Sequence, residues 1–513
     1  MKVIILNLFI LCKENVASMK QPINLNKYTN KSDDSSQSNL NQNDDLKDIE
    51  IKEKEEDKLK LIDELIDNKL GITTYGMRIY IIISLFFLAD GAEMIIESLL
   101  IIKLGDIWDL THVQKGFLGS AVFCGFFIGA IVSGKLSDNY GRRPIFIIGS
   151  LMTAVFAIVS AFSPNYYFLI IFRSLFGAGV GMSIPACSAL AIEITPTKWR
   201  AWVLNLIWIF FPFGETFAVL IAYLCINEEH GWRYLLGAVS VPAVISCIVS
   251  FFLNESPRYY LATKQYERAF ANLDRLFSYS REKIELNEEM KKRIIFEETE
   301  LTEESLVKSN FSTLCSKEYA RLTVQTCALF FICSYCYYGY TYILPQLVMQ
   351  HNTETIKMPK SSSDILMYNT LVYSALAEIP SVFISALISS IPFLGRVRSI
   401  AIGLLLSSVF AILSAFYLNQ IDIFASLFKF SINIPFDIIY VYVCEAFPTK
   451  IRSIAIGVTN SFTRIGGIFT PIITQLLFQA DKMYPIITFG VMSFIGIIVA
   501  LFLPIETLGR KLV

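Results

Sequence analysis

The sequence predicts an all-α membrane protein: twelve transmembrane helices in two six-helix bundles, with both termini cytoplasmic. Three observations carry that prediction. The 513 residues are 54% hydrophobic and only 17% charged, against roughly 25% charged in a soluble domain. The apolar residues gather in stretches of about 20, the length that crosses a bilayer as a helix, rather than in the short alternating segments of a barrel. Markers in the first half of the chain also recur 251 to 254 residues later, as expected of a duplicated transporter body. A soluble enzyme is thereby excluded. A formal net charge of −1 gives no footing for nucleic acid. Nearly all of the ten cysteines sit in apolar stretches, where a thiol acts as a small hydrophobe.

Residues 1–77 read as a polar, acidic, disordered cytoplasmic tail. Met1–Cys12 is apolar after Lys2, like a weak signal peptide with a poor cleavage site at Val16-Ala17-Ser18, and Met19 serves equally well as a first residue. Residues 20–43 are rich in Asn, Ser and Gln, and 44–69 alternate acids with lysines. Such segments bury too little apolar surface to fold alone, apart from a short amphipathic pattern of Leu59, Ile62, Leu65 and Ile66.

The first bundle, 78–253, holds span 1 (78–102), span 2 (115–136), span 3 (144–162), span 4 (166–191), span 5 (200–225) and span 6 (232–253). Residues 254–320 form a charged cytoplasmic linker with short helices, one marked by Tyr266, Phe270, Leu273 and Phe277. The second bundle, 321–504, holds span 7 (321–347), span 8 (365–391), span 9 (397–418), span 10 (422–445), span 11 (453–478) and span 12 (484–504). A short tail, 505–513, follows. Orientation comes from lysine and arginine at the span ends. Lys135, Arg142, Arg143, Lys198, Arg200, Arg258, Arg396, Arg398, Lys450, Arg452, Arg510 and Lys511 all fall on one side, which is therefore cytoplasmic.

The internal repeat gives the bundles their relation. The octapeptide Glu-Ile-Thr-Pro-Thr-Lys-Trp-Arg, from Glu193 to Arg200, returns as Glu-Ala-Phe-Pro-Thr-Lys-Ile-Arg from Glu445 to Arg452, an offset of 252. Gly141-Arg142 returns as Gly395-Arg396, and Glu255-Ser-Pro-Arg258 has a looser echo from Glu506 to Arg510. The two bundles thus run parallel, with a substrate site expected between them near midplane.

These residues also carry a resemblance. Gly134-Lys-Leu-Ser-Asp138-Asn-Tyr-Gly141-Arg142-Arg143, between spans 2 and 3, resembles the signature loop of the major facilitator superfamily. Arg173 with Gly177, Gly179 and Gly181 in span 4 resembles that superfamily's Arg-Gly motif. Glu255-Ser256-Pro257-Arg258 and the run from Pro504 through Glu506 to Arg510 resemble its sugar-porter and organic-ion branches. The stretch Ala89-Asp90-Gly-Ala-Glu93-Met94, with Tyr337-Tyr338-Gly339, Glu378-Ile-Pro380 and Arg464-Ile-Gly466, is similar to the synaptic-vesicle-two-related group. The Gln-rich sugar-porter signature of span 7 is absent, which disfavours a hexose. The resemblance implies a major facilitator fold and transport by alternating access.

The motif residues suggest a cytoplasmic gate made of Gly134, Asp138, Gly141, Arg142, Arg143, Glu193, Arg200, Glu445 and Arg452. Gly134 would let two helices approach closely. Asp138 can accept charge-assisted bonds from Arg142 or sit at a helix N-terminus. Glu193 and Glu445 are expected to pair with latch arginines across helices rather than with Arg200 and Arg452. Pro392 and Ile388 stand where the first half has Asp138 and Gly134, so the second latch reads as eroded and the first as dominant.

Ionisable groups inside a membrane are costly and therefore functional candidates. Asp90, Glu93 and Glu97 share one face of span 1. Glu215 lies in span 5, Glu378 in span 8, Lys429 and Asp437 in span 10, Arg173 in span 4 and Arg464 in span 11, giving six acids against three bases. Asp90 is expected to face Arg173, Glu93 to carry the coupled proton, and Glu378 and Arg464 to contact a charged substrate. Lys429 and Asp437, eight apart, are expected to neutralise each other. Among the tyrosines of span 7, Tyr338 is the candidate for stacking on substrate. The expected function is secondary transport of a small organic ion, coupled to protons as in a symporter, with the excess of acids favouring a cation or zwitterion. A uniporter and a non-transporting receptor or vesicle protein are the alternatives. No enzymatic activity, cofactor or metal is expected. The protein is read as a multi-pass monomer of the plasma membrane or of an intracellular vesicle.

Overall fold

The structure is a computed structural model. It describes Leu65 and residues 73–196, 199–225, 228, 230–278, 286–305, 311–355, 360–447 and 449–508. The signal-like start, the alternative Met19, the rest of the amphipathic stretch near Leu65, the side chains of Lys135 and Asp138, and Lys198, Arg510 and Lys511 lie outside the described residues.

Each span is a helix whose ends follow local rules. Span 1 runs Thr74–Ile107, with the Thr73 side chain accepting from the Gly76 N–H at 3.1 Å. Span 2, His112–Tyr140, starts with a reciprocal cap between Thr111 and Gln114. Span 4, Tyr166–Ile194, starts under Asn165, whose side chain takes the N–H groups of Tyr167 and Phe168. Spans 3, 6, 7, 9 and 10 cover Arg142–Ala161, Gly231–Ser250, Ala320–Gln350, Gly395–Phe416 and Ile421–Ala446.

Spans 5 and 8 are interrupted, for the same reason. Span 5 breaks between Arg200–Trp208 and Phe210–Cys225, and span 8 between Lys360–Leu376 and Glu378–Ser390. Pro212 and Pro380 stand four residues after Trp208 and Leu376. A proline offers no N–H to the carbonyl four residues back and crowds it, so each first segment ends there. Glu378 opens the second segment of span 8, and Glu215 lies one turn into that of span 5.

Eleven of the described helices are long and apolar enough to cross a membrane. A further long helix, Thr449–Ala480, forms span 11 and is more polar, with Thr459, Thr463, Arg464, Thr470, Thr474 and Gln475 buried against its neighbours. Span 12 is Tyr484–Leu501. Outward-facing side chains such as Ile128, Ile148, Leu151, Leu405 and Phe494 are exposed and apolar, as a lipid-facing surface requires.

Spans 2 and 4 pack backbone to backbone, because a Cβ on Gly177 or Gly181 would meet main-chain atoms of Val122 or Phe126. One apolar core joins both halves, from Ile95, Leu99 and Leu118 to Tyr337, Leu344 and Tyr442. In the linker, Pro257–Ala262, Tyr266–Ser278 and Glu288–Ser305 are helices. They share a small core of Leu261, Leu273, Phe277 and Ile294 that also receives Leu65.

Candidate functional site: two latches and a buried charge array

The latches sit at the end of the bundle that carries the basic loops. Gly141 and Gly395, which lead into spans 3 and 9, have φ of +103° and +65°. Glycine adopts such angles without strain, and a Cβ at either position would collide with a carboxylate, that of Glu255 or Glu506. Those carboxylates cap the helices. Glu255 accepts the backbone N–H groups of Arg142 at 3.1 Å and Arg143 at 3.0 Å. Glu506 accepts those of Arg396 at 2.8 Å and Val397 at 3.1 Å. An acid here satisfies orphan donors and meets the positive end of the helix dipole. Burial holds the Glu255 carboxyl above the usual carboxylate range, against the pull of its N–H donors and the Arg142 charge.

The side chains extend the match. Arg142 donates to Glu193 at 3.2 Å, and Arg396 donates to Glu445 at 3.1 and 2.9 Å. Arg200 and Arg452 each place Nε on a carbonyl five residues back, Thr195 and Phe447. Glutamates 193 and 445 therefore pair with latch arginines across helices. One expectation needs correction and one is narrowed. The second latch keeps the arginine–glutamate and capping contacts of the first, since Glu506 repeats the role of Glu255 and Thr507 adds a bond to Glu445 at 2.7 Å, while the loss of an aspartate at Pro392 has no counterpart to compare because the Asp138 side chain is outside the described residues. Gly134 brings no helices together: it is exposed, with no atom within 4 Å of where its Cβ would stand. Arg143 reaches the carbonyl of Phe251 at 3.0 Å.

The first buried cluster joins spans 1 and 4. Arg173, fully buried, bonds Glu93 at 2.5 Å and approaches Glu97 at 3.3 Å. Asp90 is therefore not the partner of Arg173. Glu93 and Glu97, one turn apart, occupy the guanidinium, and Asp90 is in none of the ion pairs described. Glu93, expected to carry the proton, pairs directly with Arg173. Neither Glu97 oxygen has a hydrogen-bond donor. Glu97 also lines a cavity of about 20 Å³ between the halves, with Phe123, Tyr338, Tyr342 and Pro471, room for about one water.

The second cluster bridges the halves. Lys429 of span 10 lies 2.7 Å from Glu215 of span 5 and 2.6 Å from Glu378 of span 8. All three are at most 3% exposed at the side chain, so they interact without water to screen them. The Tyr337 hydroxyl donates to Glu378 at 2.9 to 3.0 Å, and its ring lies 5.3 Å from the Lys429 ammonium. Lys429 is thus not neutralised by Asp437. Asp437 is half-buried and accepts from the Ser385 hydroxyl at 3.0 Å.

Arg464 forms a third contact between the halves. Its guanidinium lies 3.5 Å from the centre of the Phe126 ring and donates to the Tyr338 hydroxyl at 3.3 Å. Tyr338 in turn packs on Phe123 at 4.7 Å. Tyr340 stacks inside the second half on Phe428, and Tyr342 donates to the Lys115 carbonyl at 2.5 Å. Sequence reasoning marked Glu97, Lys429 and Tyr337 but gave them no place among the binding residues. The i, i+4 spacing from Glu93 pointed to Glu97, but no pattern in the sequence signals that Lys429 reaches into the other half.

A family profile described as "Sugar (and other) transporter" matches residues 88–513. The chain belongs to that family. Within this transporter family it is similar to the organic cation/carnitine transporter 7 of Arabidopsis thaliana, 30% identical over 482 residues that cover 87% of this chain and 95% of the relative. It is also similar to the synaptic vesicle 2-related protein of Xenopus laevis, 28% identical over 456 residues covering 86% and 80%. A partially occluded inward-open structure of the xylose transporter XylE from E. coli superposes with a TM-score of 0.67 at 17% identity, covering 86% of this chain and 100% of that one. The fold is that of a major facilitator transporter, a multi-pass membrane protein.

Proposed function

We propose that this transporter moves a small organic cation or zwitterion by alternating access, coupled to protons. The observation that carries the proposal is the triad of Lys429 with Glu215 and Glu378, in which two carboxylates from opposite halves share one ammonium. Fully ionised, the triad holds one negative charge too many. A proton on either carboxylate neutralises it, and a proton on Glu215 lets Lys429 stay with Glu378 and frees the first half to move, whereas a proton on Glu378 keeps Lys429 on Glu215. Arg173 with Glu93 and Glu97 repeats the stoichiometry in the first half.

The contacts between halves support an inward-facing state. Ser120 donates to the Ile468 carbonyl at 2.6 Å, Tyr342 to that of Lys115, and His112 lies 3.3 Å from Gln475, all toward the end of span 2 remote from the latches. The latch bonds described above each stay within one half. Opening the remote end requires Lys429 to release Glu215. The name of the 30% identical relative supports a cationic or zwitterionic solute, as does the excess of buried acids.

Proteoliposomes test this with tetraethylammonium, L-carnitine and nicotinate as probes. Uptake of one probe should follow an imposed pH gradient, and Glu378→Gln should abolish the pH response while leaving counterflow. Counterflow with no pH response in the unsubstituted protein points to a uniporter. Binding of a probe without flux points to a receptor. The receptor reading drew on an eroded second latch and the acidic tail, and the Arg396–Glu445 and Glu506 contacts weaken the first of these.

A further inference from the structure

Spans 8 and 10 run side by side below the triad, and their polar residues are in register. Glu378, Ser381, Ser385 and Ser389 share one face of span 8, and Lys429, Asn433 and Asp437 share one face of span 10. The pairs form successive rungs. Lys429 meets Glu378 at 2.6 Å, Asn433 Nδ2 donates to Ser381 Oγ at 2.9 Å, and Ser385 Oγ donates to Asp437 Oδ2 at 3.0 Å. Beyond them, Arg396 of the second latch donates to the Ser389 carbonyl at 2.9 Å. The rungs thus descend from the buried triad to the latch end.

We propose that this ladder is the route by which a proton passes between the triad and the latch end of the second half, with Asp437 as its relay. The inference rests on the triad being the proton site. Exposure rises along the span 10 side of the ladder, where Lys429 is fully buried and Asn433 and Asp437 are half-buried, while Ser381, Ser385 and Ser389 on span 8 stay buried. From Lys429 to Asp437 is eight residues, about 12 Å along the helix. Two observations argue against a purely structural ladder. At its upper end, Glu215 Oε1 is buried with no donor. At its lower end, Asp437 is bonded to a serine and to no lysine or arginine among the ion pairs described. Packing and hydrogen bonding alone would be met by asparagine, without the cost of an acid in the membrane.

Among the described side chains of the helices packed against span 10, the charged groups are Glu378 and Asp364 of span 8, Arg321 of span 7, Arg396 and Arg398 of span 9, and Arg452 and Arg464 of span 11. Of these, Glu378 is the carboxylate on the ladder itself, two turns of span 8 before the Ser385 that donates to Asp437. Repulsion between the two carboxylates keeps both from being ionised at low cost, so a proton leaving one favours its arrival on the other. In the step, Glu378 in its acid form releases H⁺ through the hydroxyls and water between the rungs. The Asp437 carboxylate takes it up, and Glu378 returns to Lys429 as a carboxylate. Asp437 then gives the proton to water at the latch end, and no other bond changes.

Infrared difference spectroscopy of the full chain in lipid bilayers tests this without a substrate, by following the C=O stretch of protonated carboxyls after a pH jump. The band should be lost in Glu378→Gln or Glu215→Gln. If it survives in both, the triad is not the proton site and the underlying reading fails. In Asp437→Asn, which keeps the Ser385 bond, the triad band should persist but respond about a hundredfold more slowly, and Asp437→Glu should restore the rate. Ser385→Ala should slow the response to a lesser degree. An unchanged rate in Asp437→Asn overturns the ladder and leaves the triad reading intact. A band that responds to sodium rather than to pH also overturns it.

Discussion

Lys429→Met and Glu215→Gln each remove one charge from the same buried triad, and the structure predicts very unequal costs. Without Lys429, Glu215 and Glu378 face each other in a site at most 3% exposed, with no cation between them. Removing one partner of a buried pair costs about 3–5 kcal/mol, chiefly because the charge left behind is uncompensated. Without the Glu215 charge, Lys429 keeps Glu378 at 2.6 Å, and Glu378 keeps the Tyr337 hydroxyl. The glutamine can still accept from Lys429, so the loss should stay within about 1 kcal/mol. Equilibrium unfolding in mixed lipid–detergent micelles, followed by tryptophan fluorescence, measures both. Combining Lys429→Met with Glu215→Gln and Glu378→Gln should recover most of the loss, since no buried charge then remains. Equal destabilisation by Lys429→Met and Glu215→Gln would refute the charge count on which the coupling argument stands.

The latches make a second comparison. Arg142→Ala and Arg396→Ala should slow probe counterflow to a similar degree, because each arginine holds a glutamate of its own half; a large effect confined to Arg142 would restore the idea of one dominant latch. Tyr337→Phe should destabilise the protein by about 1.5–3 kcal/mol, the worth of a hydrogen bond to a charged group, because both Glu378 oxygens accept from that hydroxyl; unfolding of the single variant checks it. The raised Glu255 carboxyl gives a pH signature. A folded-state value above the unfolded one means that the folded protein holds the proton longer. Glu255's contribution is therefore complete at acid pH and falls as pH rises above the ordinary glutamate range, near 4.3. Glu255→Gln should flatten that part of the stability–pH curve.

The sequence by itself determined the class of fold. Length of apolar runs, charge on the loops and the duplicated Glu193 and Glu445 segments depend on composition and spacing, and these survive without knowledge of contacts. It also marked nearly every buried charge, because an ionisable residue in an apolar run stands out wherever it points. The tertiary structure decided which of those charges meet. Helical period placed Asp90, Glu93 and Glu97 on one face, yet only packing against span 4 sets Glu93 and Glu97, not Asp90, on Arg173. Period likewise aligned Lys429 with Asp437, but the way the halves meet turns Lys429 toward Glu215, 214 residues away in sequence. The distant echo of Glu255 in Glu506 acquired its meaning only when both carboxylates were seen capping helices behind positive-φ glycines. Coulomb energy depends on distance in space, and between residues on different helices the linear sequence does not contain that distance.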